Sequence, residues 1–214
     1  MEVKEVIYRR RSIRAFTPAP IPKKTLMQLI GAAIQAPSAR NIQPWQFIVV
    51  TGKARARLAH SLLTRYEQDL AQGRQLPAIE LPEPYQARAR RFTESLAPAA
   101  VHEPTFDLIR GSLNFYGAPA VILLALDRRL SPDRLFDVGA AAQNLLLMAE
   151  AQGLSTCVIG LVLWYQDLIR QELQLPESVN LITTIALGIP DRTSPLFDHS
   201  ASREDAAEFL TWID

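Results

Sequence analysis

The chain has 214 residues, of which 48% are apolar and 21% charged, which is the composition of an ordinary folded domain and excludes a disordered or collagen-like chain. Its 23 Lys and Arg residues oppose 22 Asp and Glu residues, so the formal charge of +1 gives no basis for general binding to nucleic acid or anionic membranes. A chain of this length can bury a single core, and we expect one domain over residues 1–214.

Cysteine use and the absence of long apolar runs indicate a cytoplasmic protein. The lone Cys157 excludes a disulfide scaffold and agrees with a reducing compartment. It lies in the apolar run 156–159, so we expect a buried core thiol rather than a nucleophile. No apolar run reaches the roughly 20 residues that a membrane span requires, and the first residues do not resemble a signal peptide.

The usual nucleotide and metal motifs are missing. None of the nine glycines has the spacing of a Rossmann G-x-G-x-x-G turn or of a Walker loop. The three histidines lie far apart in the sequence, without zinc-site spacing around them, so no metal is expected.

Apolar periodicity predicts alternating helices and strands. In chain order the first predicted helix is short, begins near Val3 and ends in the basic cluster 9–11. The others cover Pro22 to Pro37, Leu58 to Leu70, Val138 to Ala151 and Asp167 to Leu175, with Asp137 and Gly153 as the cap and the end of the fourth helix. The predicted strands cover Phe47 to Thr51, Ala120 to Leu126, Thr156 to Ile159 and Val179 to Leu187. This order predicts an α+β fold, a three-layer α/β/α sandwich with a mixed central sheet of four or five strands.

Two regions depart from this pattern. Residues 72–110 are rich in proline and arginine and weakly periodic, and we expect a lid that packs over a pocket. Tyr85, Phe92 and Phe106 would supply its aromatic walls, with simple surface packing as the alternative. The predicted helix from Val138 is apolar on nearly every side, which indicates that a second subunit covers part of it.

Two polar segments are candidates for ligand binding. Arg10, Ser12 and Arg14 would point the same way in an extended segment, which suits a phosphate and the edge of a heterocycle. The alternative is a solvated basic helix end. Residues 36–47 place Ser, Arg, Asn and Gln between two prolines before Trp45 and can offer amide groups to a heterocycle. The alternative there is an ordinary helix stop with Trp45 in the core.

Five motifs in this order resemble the FMN-dependent nitroreductase family. They are Arg10-Arg-Ser-Ile-Arg14, Pro37-Ser-x-x-Asn-x-Gln-Pro-Trp45, Asp137-Val-Gly-x-x-x-Gln-Asn-Leu145, Ala186-Leu-Gly-Ile-Pro190 and Arg203-Glu-x-x-x-Glu-Phe-x-x-Trp212. The resemblance covers nearly the whole chain except residues 72–110. It implies an intertwined homodimer that binds FMN at the subunit interface. It also implies that NADH or NADPH supplies hydride in ping-pong turnover to a nitroaromatic, a quinone or a similar flat aromatic acceptor.

The resemblance also implies roles for individual residues. The FMN phosphate and ribityl chain would contact Arg10 and Ser12, with Arg11 in the same cofactor-binding segment. Arg203 would be the C-terminal phosphate ligand, and Arg14 would lie at the pyrimidine edge. The loop that reaches the partner's FMN would contain Pro37, Ser38, Asn41 and Gln43. The backbone of Ile159 and Gly160 would lie near flavin N5. Because the flavin carries the hydride, no catalytic side chain is expected.

Some positions depart from the family pattern or stay open. A second cation before Arg203 is missing, and His199 or Ser202 are candidates to replace it. Arg110 and Asn114 are candidates for the flavin pyrimidine edge, and Arg88, Arg90 and Arg91 for the extra phosphate of NADPH. Alternative functions are a specialised flavoenzyme of this fold, acting in reductive dehalogenation, activated-alkene reduction or flavin fragmentation, and a ligand-binding dimer without turnover.

Overall fold

A four-stranded sheet forms the centre of the computed structural model, which describes residues 2–77, 80–102 and 106–214. Residues 78, 79 and 103–105 of the expected lid lie outside the described residues. The strands are β1 (Trp45–Thr51), β2 (Ala120–Asp127), β3 (Ser155–Ile159) and β4 (Val179–Gly188). Their order is β1-β2-β4-β3, so the two longest strands occupy the centre.

Seven α-helices accompany the sheet within these ranges. They are α1 (Val3–Arg9), α2 (Lys23–Ala33), α3 (Gly52–Ala71), α4 (Tyr85–His102), α5 (Leu108–Leu113), α6 (Leu135–Ala151) and α7 (Gln166–Leu173). Among the described helices, none is both long and apolar enough to cross a membrane.

Apolar side chains cover both faces of the sheet. Because successive strand residues point to opposite faces, the odd-numbered residues of β2 from 121 to 125 pack on one side with Leu62 of α3 and Ile169 of α7. The even-numbered residues pack on the other side with Leu29 of α2 and Leu145 of α6. The expected three-layer α+β sandwich is therefore confirmed, and β2 is apolar throughout because both of its faces are buried.

The sheet differs from the expected one in strand direction. All three strand pairings are antiparallel, whereas a mixed sheet was expected. Apolar periodicity identifies which face of an element is buried, but it does not determine the direction in which the chain returns. Within the described part of the chain, strand-like parallel pairing is limited to a single bridge between Ser12 and Thr156.

Two local expectations have different outcomes. The predicted cap of α6, Asp137, lies inside the helix, which begins at Leu135. Its buried carboxylate accepts a hydrogen bond from Arg134 at 3.2 Å instead of capping the first turn. Cys157 is buried in β3, as expected, and burial raises the pKa of its thiol to about 11.

The segment after α1 is attached to the ends of two strands. The backbone N–H of Ile13 donates to Thr156 at 3.0 Å, and that of Thr17 donates to Ile189 at 2.9 Å. Between them Phe16 packs against Gly188, where an added Cβ would lie 3.0 Å from the Phe16 ring and 2.8 Å from Pro119. The arginine-rich segment therefore has a fixed position across β3 and β4.

Candidate active site

Residues from both ends of the chain meet at a cavity of about 400 Å³, here called the basic cavity. The segment after α1 forms one wall and residues 199–203 form the opposite wall, while α6 contributes Gln143 and α4 contributes Phe92. Its lining residues are Ile7, Tyr8, Arg10, Arg11, Ser12, Arg14, Phe92, Gln143, His199, Ser200, Ala201 and Arg203. The five predicted phosphate and pyrimidine-edge residues therefore come together.

The basic cavity concentrates positive charge. Four arginines line it, and none of the lining residues just named is an Asp or Glu. Burial lowers the pKa of Arg10, and the charge of Arg203 lowers it further. Because several cations lie close together and no carboxylate lines the same cavity, the site favours an anionic ligand. Each guanidinium can donate two parallel N–H hydrogen bonds to such a ligand.

Arg14 has an unsatisfied donor in this cavity. Its Nε is buried and has no hydrogen-bond partner, while its Nη1 donates to the carbonyl of Ser12 at 3.3 Å. The ring of Phe92 lies over its guanidinium, with the centroid 5.0 Å away. A buried unpaired donor is costly, so this atom fits a site completed by a ligand that brings an acceptor.

Arg11 is turned toward the edge of the basic cavity. Its Nη1 donates to the carbonyl of Asp198 at 3.4 Å, and its guanidinium lies 4.7 Å from the ring centroid of Phe197. These contacts hold the side chain against the C-terminal segment. Arg11 therefore adds positive charge to the cavity and helps to position that segment.

Of the two candidates to replace the missing cation, His199 lines the basic cavity beside the arginines. Its Nε2 lies 2.9 Å from Ser95 Oγ of α4, and its ring meets Phe92 edge-on with centroids 6.0 Å apart. Burial, Arg14 and Arg11 lower its pKa, so the ring is neutral at neutral pH. Ser202 lines a separate cavity against α4.

A second cavity of about 590 Å³ adjoins Arg14 and contains both residues proposed for the pyrimidine edge, Arg110 and Asn114. The charge of Arg110 is balanced by Asp107 at 2.7 Å and Glu67 at 2.8 Å. Phe106 and Tyr116 add aromatic surface, and burial raises the pKa of Tyr116. Paired charges and aromatic rings suit a flat molecule without net charge, in contrast to the basic cavity.

The predicted lid contributes aromatic residues unevenly. Phe92 lines the basic cavity and Phe106 the second cavity, whereas Tyr85 lines neither and lies beside Arg88. The charge of the α4 arginines is only partly balanced, because Arg88 and Arg91 share Glu204 while Arg90 pairs with Glu83. None of the three lines either cavity, and their role toward the extra phosphate of NADPH stays a prediction.

Six predicted site residues line neither cavity: Pro37, Ser38, Asn41, Gln43, Ile159 and Gly160. The loop before β1 has its own rigid structure, since Ser38 Oγ accepts from the Gln43 N–H at 3.0 Å. It leaves Asn41 and Gln43 exposed, with backbone φ angles of 55° and 50°. Ile159 is buried, and its carbonyl accepts from Thr184 Oγ1 at 2.7 Å.

Gln143 is a cavity residue that sequence reasoning did not assign. The signal was present, because Gln143 is one of few polar residues in an otherwise apolar helix. Elsewhere in the described ranges, no three His, Cys, Asp or Glu side chains lie close enough together to hold a metal ion.

Comparisons with known proteins agree with this geometry. The profile of the Nitroreductase family matches residues 7–189. A 4-nitrobenzoate reductase from Nocardioides sp. (strain LMS-CY) is 28% identical, over 97% of this chain and 88% of its own length. Nitroreductase NfnB from Mycolicibacterium smegmatis is 33% identical, over 86% of this chain and 81% of its own. The crystal structure of the FMN-dependent nitroreductase NfnB from Mycobacterium smegmatis in complex with NADPH has a TM-score of 0.86 at 31% identity, covering 99% of this chain and 97% of that one.

Proposed function

This chain belongs to the nitroreductase family. On that premise we propose which of its residues bind the cofactor and which form the substrate pocket. The protein is an FMN-dependent oxidoreductase that uses NADH or NADPH to reduce nitroaromatic compounds. When bound, FMN supplies the centre that accepts and donates hydride. The chain's own residues have to bind the cofactor, orient it and shape the pocket for its substrates.

The basic cavity holds the phosphate end of FMN. The observation that carries this assignment is the set of four arginines without a carboxylate in the same lining. Arg203 is close enough to Arg10 for its charge to lower the pKa of Arg10. An anion bound between the two guanidinium groups would offset this repulsion. Ser12 adds a hydroxyl at the same wall, and neutral His199 can share a hydrogen bond.

Arg14 orients the flavin ring. It lies in the walls of both cavities, and its buried Nε needs an acceptor, which the pyrimidine edge of a flavin supplies. Asn114 and Arg110 face the same second cavity and are the further candidates for this edge. The charge-balanced remainder of that cavity, with Phe106 and Tyr116, is suited to a flat aromatic acceptor.

The active form is a homodimer whose partner completes the cofactor site. Phe136, Gly139 and Gln143 form an exposed face of α6, and Phe136 is 78% exposed. Since Gln143 also lines the basic cavity, a subunit seated on this face closes the cavity. The exposed 37–43 loop would then serve the partner's FMN, which agrees with its absence from the cavities of its own chain.

The visible absorption spectrum of the purified protein tests this function. We expect a yellow protein whose flavin bands bleach when NADPH is added without oxygen and return when nitrobenzene, the uncharged compound in the name of one relative, is added. A colourless protein that fails to take up added FMN would overturn the proposal in favour of a ligand-binding dimer without turnover.

A further inference from the structure

Contacts between α4 and residues 199–209 form a cluster that the proposed binding roles do not use. The carboxylate of Glu204 forms ion pairs with the guanidinium groups of Arg91 and Arg88, the latter at 3.5 Å. Arg88 also lies 5.1 Å from the ring centroid of Phe209. We call this set of four residues the α4 latch. The Ser95–His199 contact lies beside it and joins the same two parts of the chain.

The latched segment has little other support. Residues 202–214 are all exposed, and their regular structure is limited to a short 3₁₀ helix at Ala206–Phe209. Arg203 immediately precedes Glu204, and its Nη1 donates only to the nearby carbonyls of Ala201 and Ser202, at 3.0 and 3.1 Å. The position of Arg203 in the basic cavity therefore depends on the contacts that attach residues 202–209 to the rest of the protein.

We propose that Glu204 is a positioning residue for cofactor binding, which acts by tying the Arg203 segment to α4. This inference rests on the proposed phosphate site. Glu204 does not line the basic cavity, whereas Arg203 does, so the carboxylate works through its neighbour. The latch adds a second role for α4, which supports the cofactor side of the pocket as well as covering it.

Direct electrostatics and positioning predict opposite results when the charge of Glu204 is removed. A carboxylate beside a cationic cavity repels phosphate, so its loss alone would tighten FMN binding. Loss of the latch would instead release Arg203 and weaken FMN binding. The sign of the change therefore separates the two explanations.

The experiment compares Glu204→Gln with Glu83→Gln by titrating FMN and riboflavin into flavin-free protein. Both substitutions remove one carboxylate that pairs with an α4 arginine, but Glu83 contacts Arg90 and not the C-terminal segment. We expect Glu204→Gln to raise the Kd for FMN about fivefold, the scale of partly exposed ion pairs. The Kd for riboflavin, which lacks the phosphate, should stay unchanged, and Glu83→Gln should alter neither.

Two further measurements test the route through Arg203. In an Arg203→Ala background, Glu204→Gln should have no further effect on FMN affinity, because there is no guanidinium left to position. In the otherwise unchanged chain, Glu204→Gln should accelerate hydrogen exchange in residues 201–209.

Each other outcome counts against the proposal. Unchanged or tighter FMN binding in Glu204→Gln overturns the latch, as does an equal loss for riboflavin or in Glu83→Gln. If Arg203→Ala itself leaves FMN affinity unchanged, the phosphate site is wrong, and the latch falls with it. If Arg203→Ala weakens FMN and Glu204→Gln does not, the latch alone is wrong.

Discussion

Arg14 combines properties that no other residue of the site shares. It is charged, it has a buried Nε without an acceptor, and it lies in the walls of both cavities. A hydrogen bond to a charged group contributes about 1.5–3 kcal/mol, and a cation beside a flavin favours its more negatively charged, reduced form. Arg14 should therefore influence both the affinity and the potential of the cofactor.

We expect Arg14→Ala to raise the Kd for FMN roughly tenfold or more and to lower the flavin reduction potential, because the charge-assisted contact is lost. Arg14→Lys keeps the charge without the planar fork, so its potential should lie closer to that of the original protein. Fluorescence titration and a redox titration measure the two effects. Unchanged affinity and potential in Arg14→Ala would contradict the assignment.

The absence of a side chain at Gly188 leaves space for Phe16, which anchors the arginine-rich segment. Gly188→Ala would place a Cβ within 3.0 Å of Phe16 and Pro119, and we expect it to lower the free energy of unfolding by about 1–3 kcal/mol. Gly31→Ala is the matched control, since nothing lies within 4 Å of its added Cβ inside α2, and it should be neutral or stabilising. Denaturant unfolding of both variants checks the difference, and equal stabilities would refute this packing argument.

At the scale of elements, α4 has two functional surfaces. One carries the latch, and the other presents Phe92 to the basic cavity and to Arg14. The expectation that residues 72–110 form a lid stays a prediction, but it now concerns particular side chains. Phe92 lines the basic cavity on the cofactor side, and Phe106 lines the second cavity that we propose for the acceptor.

We expect Phe106→Leu to change kcat/KM for nitroaromatic acceptors severalfold and the Kd for FMN less than threefold, because Phe106 lines the second cavity and not the basic cavity. Tyr85→Leu is the control, because Tyr85 lines neither cavity. Steady-state kinetics with several acceptors measure the effect. Loss of FMN with constant acceptor kinetics would place Phe106 in the cofactor site instead.

The sequence predicted elements better than their arrangement. The strands and the helices α2, α3, α6 and α7 had a clear apolar signal, either a period where one face is buried or a continuous apolar run where both sides are buried. α5 lacked such a period because it is only six residues long. α4 was not predicted as a helix of defined bounds, because most of its described side chains are exposed and it buries no continuous apolar face. The antiparallel direction of the strands was not predicted, because apolar periodicity carries no information about strand direction.

The candidate site was predictable from local patterns where its residues are contiguous, and Arg203 was predicted only through the family resemblance. Arg10 to Arg14 form a local motif, so their shared role was visible in the sequence. His199 lies in an irregular segment, and its contact with Ser95 spans more than 100 residues, which local patterns do not reveal. The roles of the 37–43 loop depend on a second subunit and stay predictions.

At the scale of the whole molecule, the reason to expect a dimer has changed. The sequence pointed to apolar residues all around α6, but Leu146 is only 6% exposed because its own subunit covers it. Leu146→Glu would therefore unfold the subunit rather than test the dimer. The exposed apolar surface lies instead at Phe136 and in the C-terminal segment, where Trp212 is 80% exposed.

We expect Gly139→Arg to yield a folded monomer that binds FMN weakly, because the new side chain has open space in its own subunit but would block a partner on α6. Gly31→Arg, in the equally open site on α2, is the control and should stay dimeric. Analytical ultracentrifugation with circular dichroism checks both. A dimer that forms normally with Arg at position 139 would show that the interface lies elsewhere.

The meeting of Arg10 and Arg203 at the basic cavity also sets an order of events during synthesis. Arg203 is made long after Arg10, because most of the sheet and its helices lies between them in the sequence. At about 5–20 residues per second, the interval between them is on the order of ten to forty seconds. Until Arg203 has been made, the nascent chain cannot hold the phosphate with its full set of arginines, so complete cofactor binding follows the synthesis of this late residue.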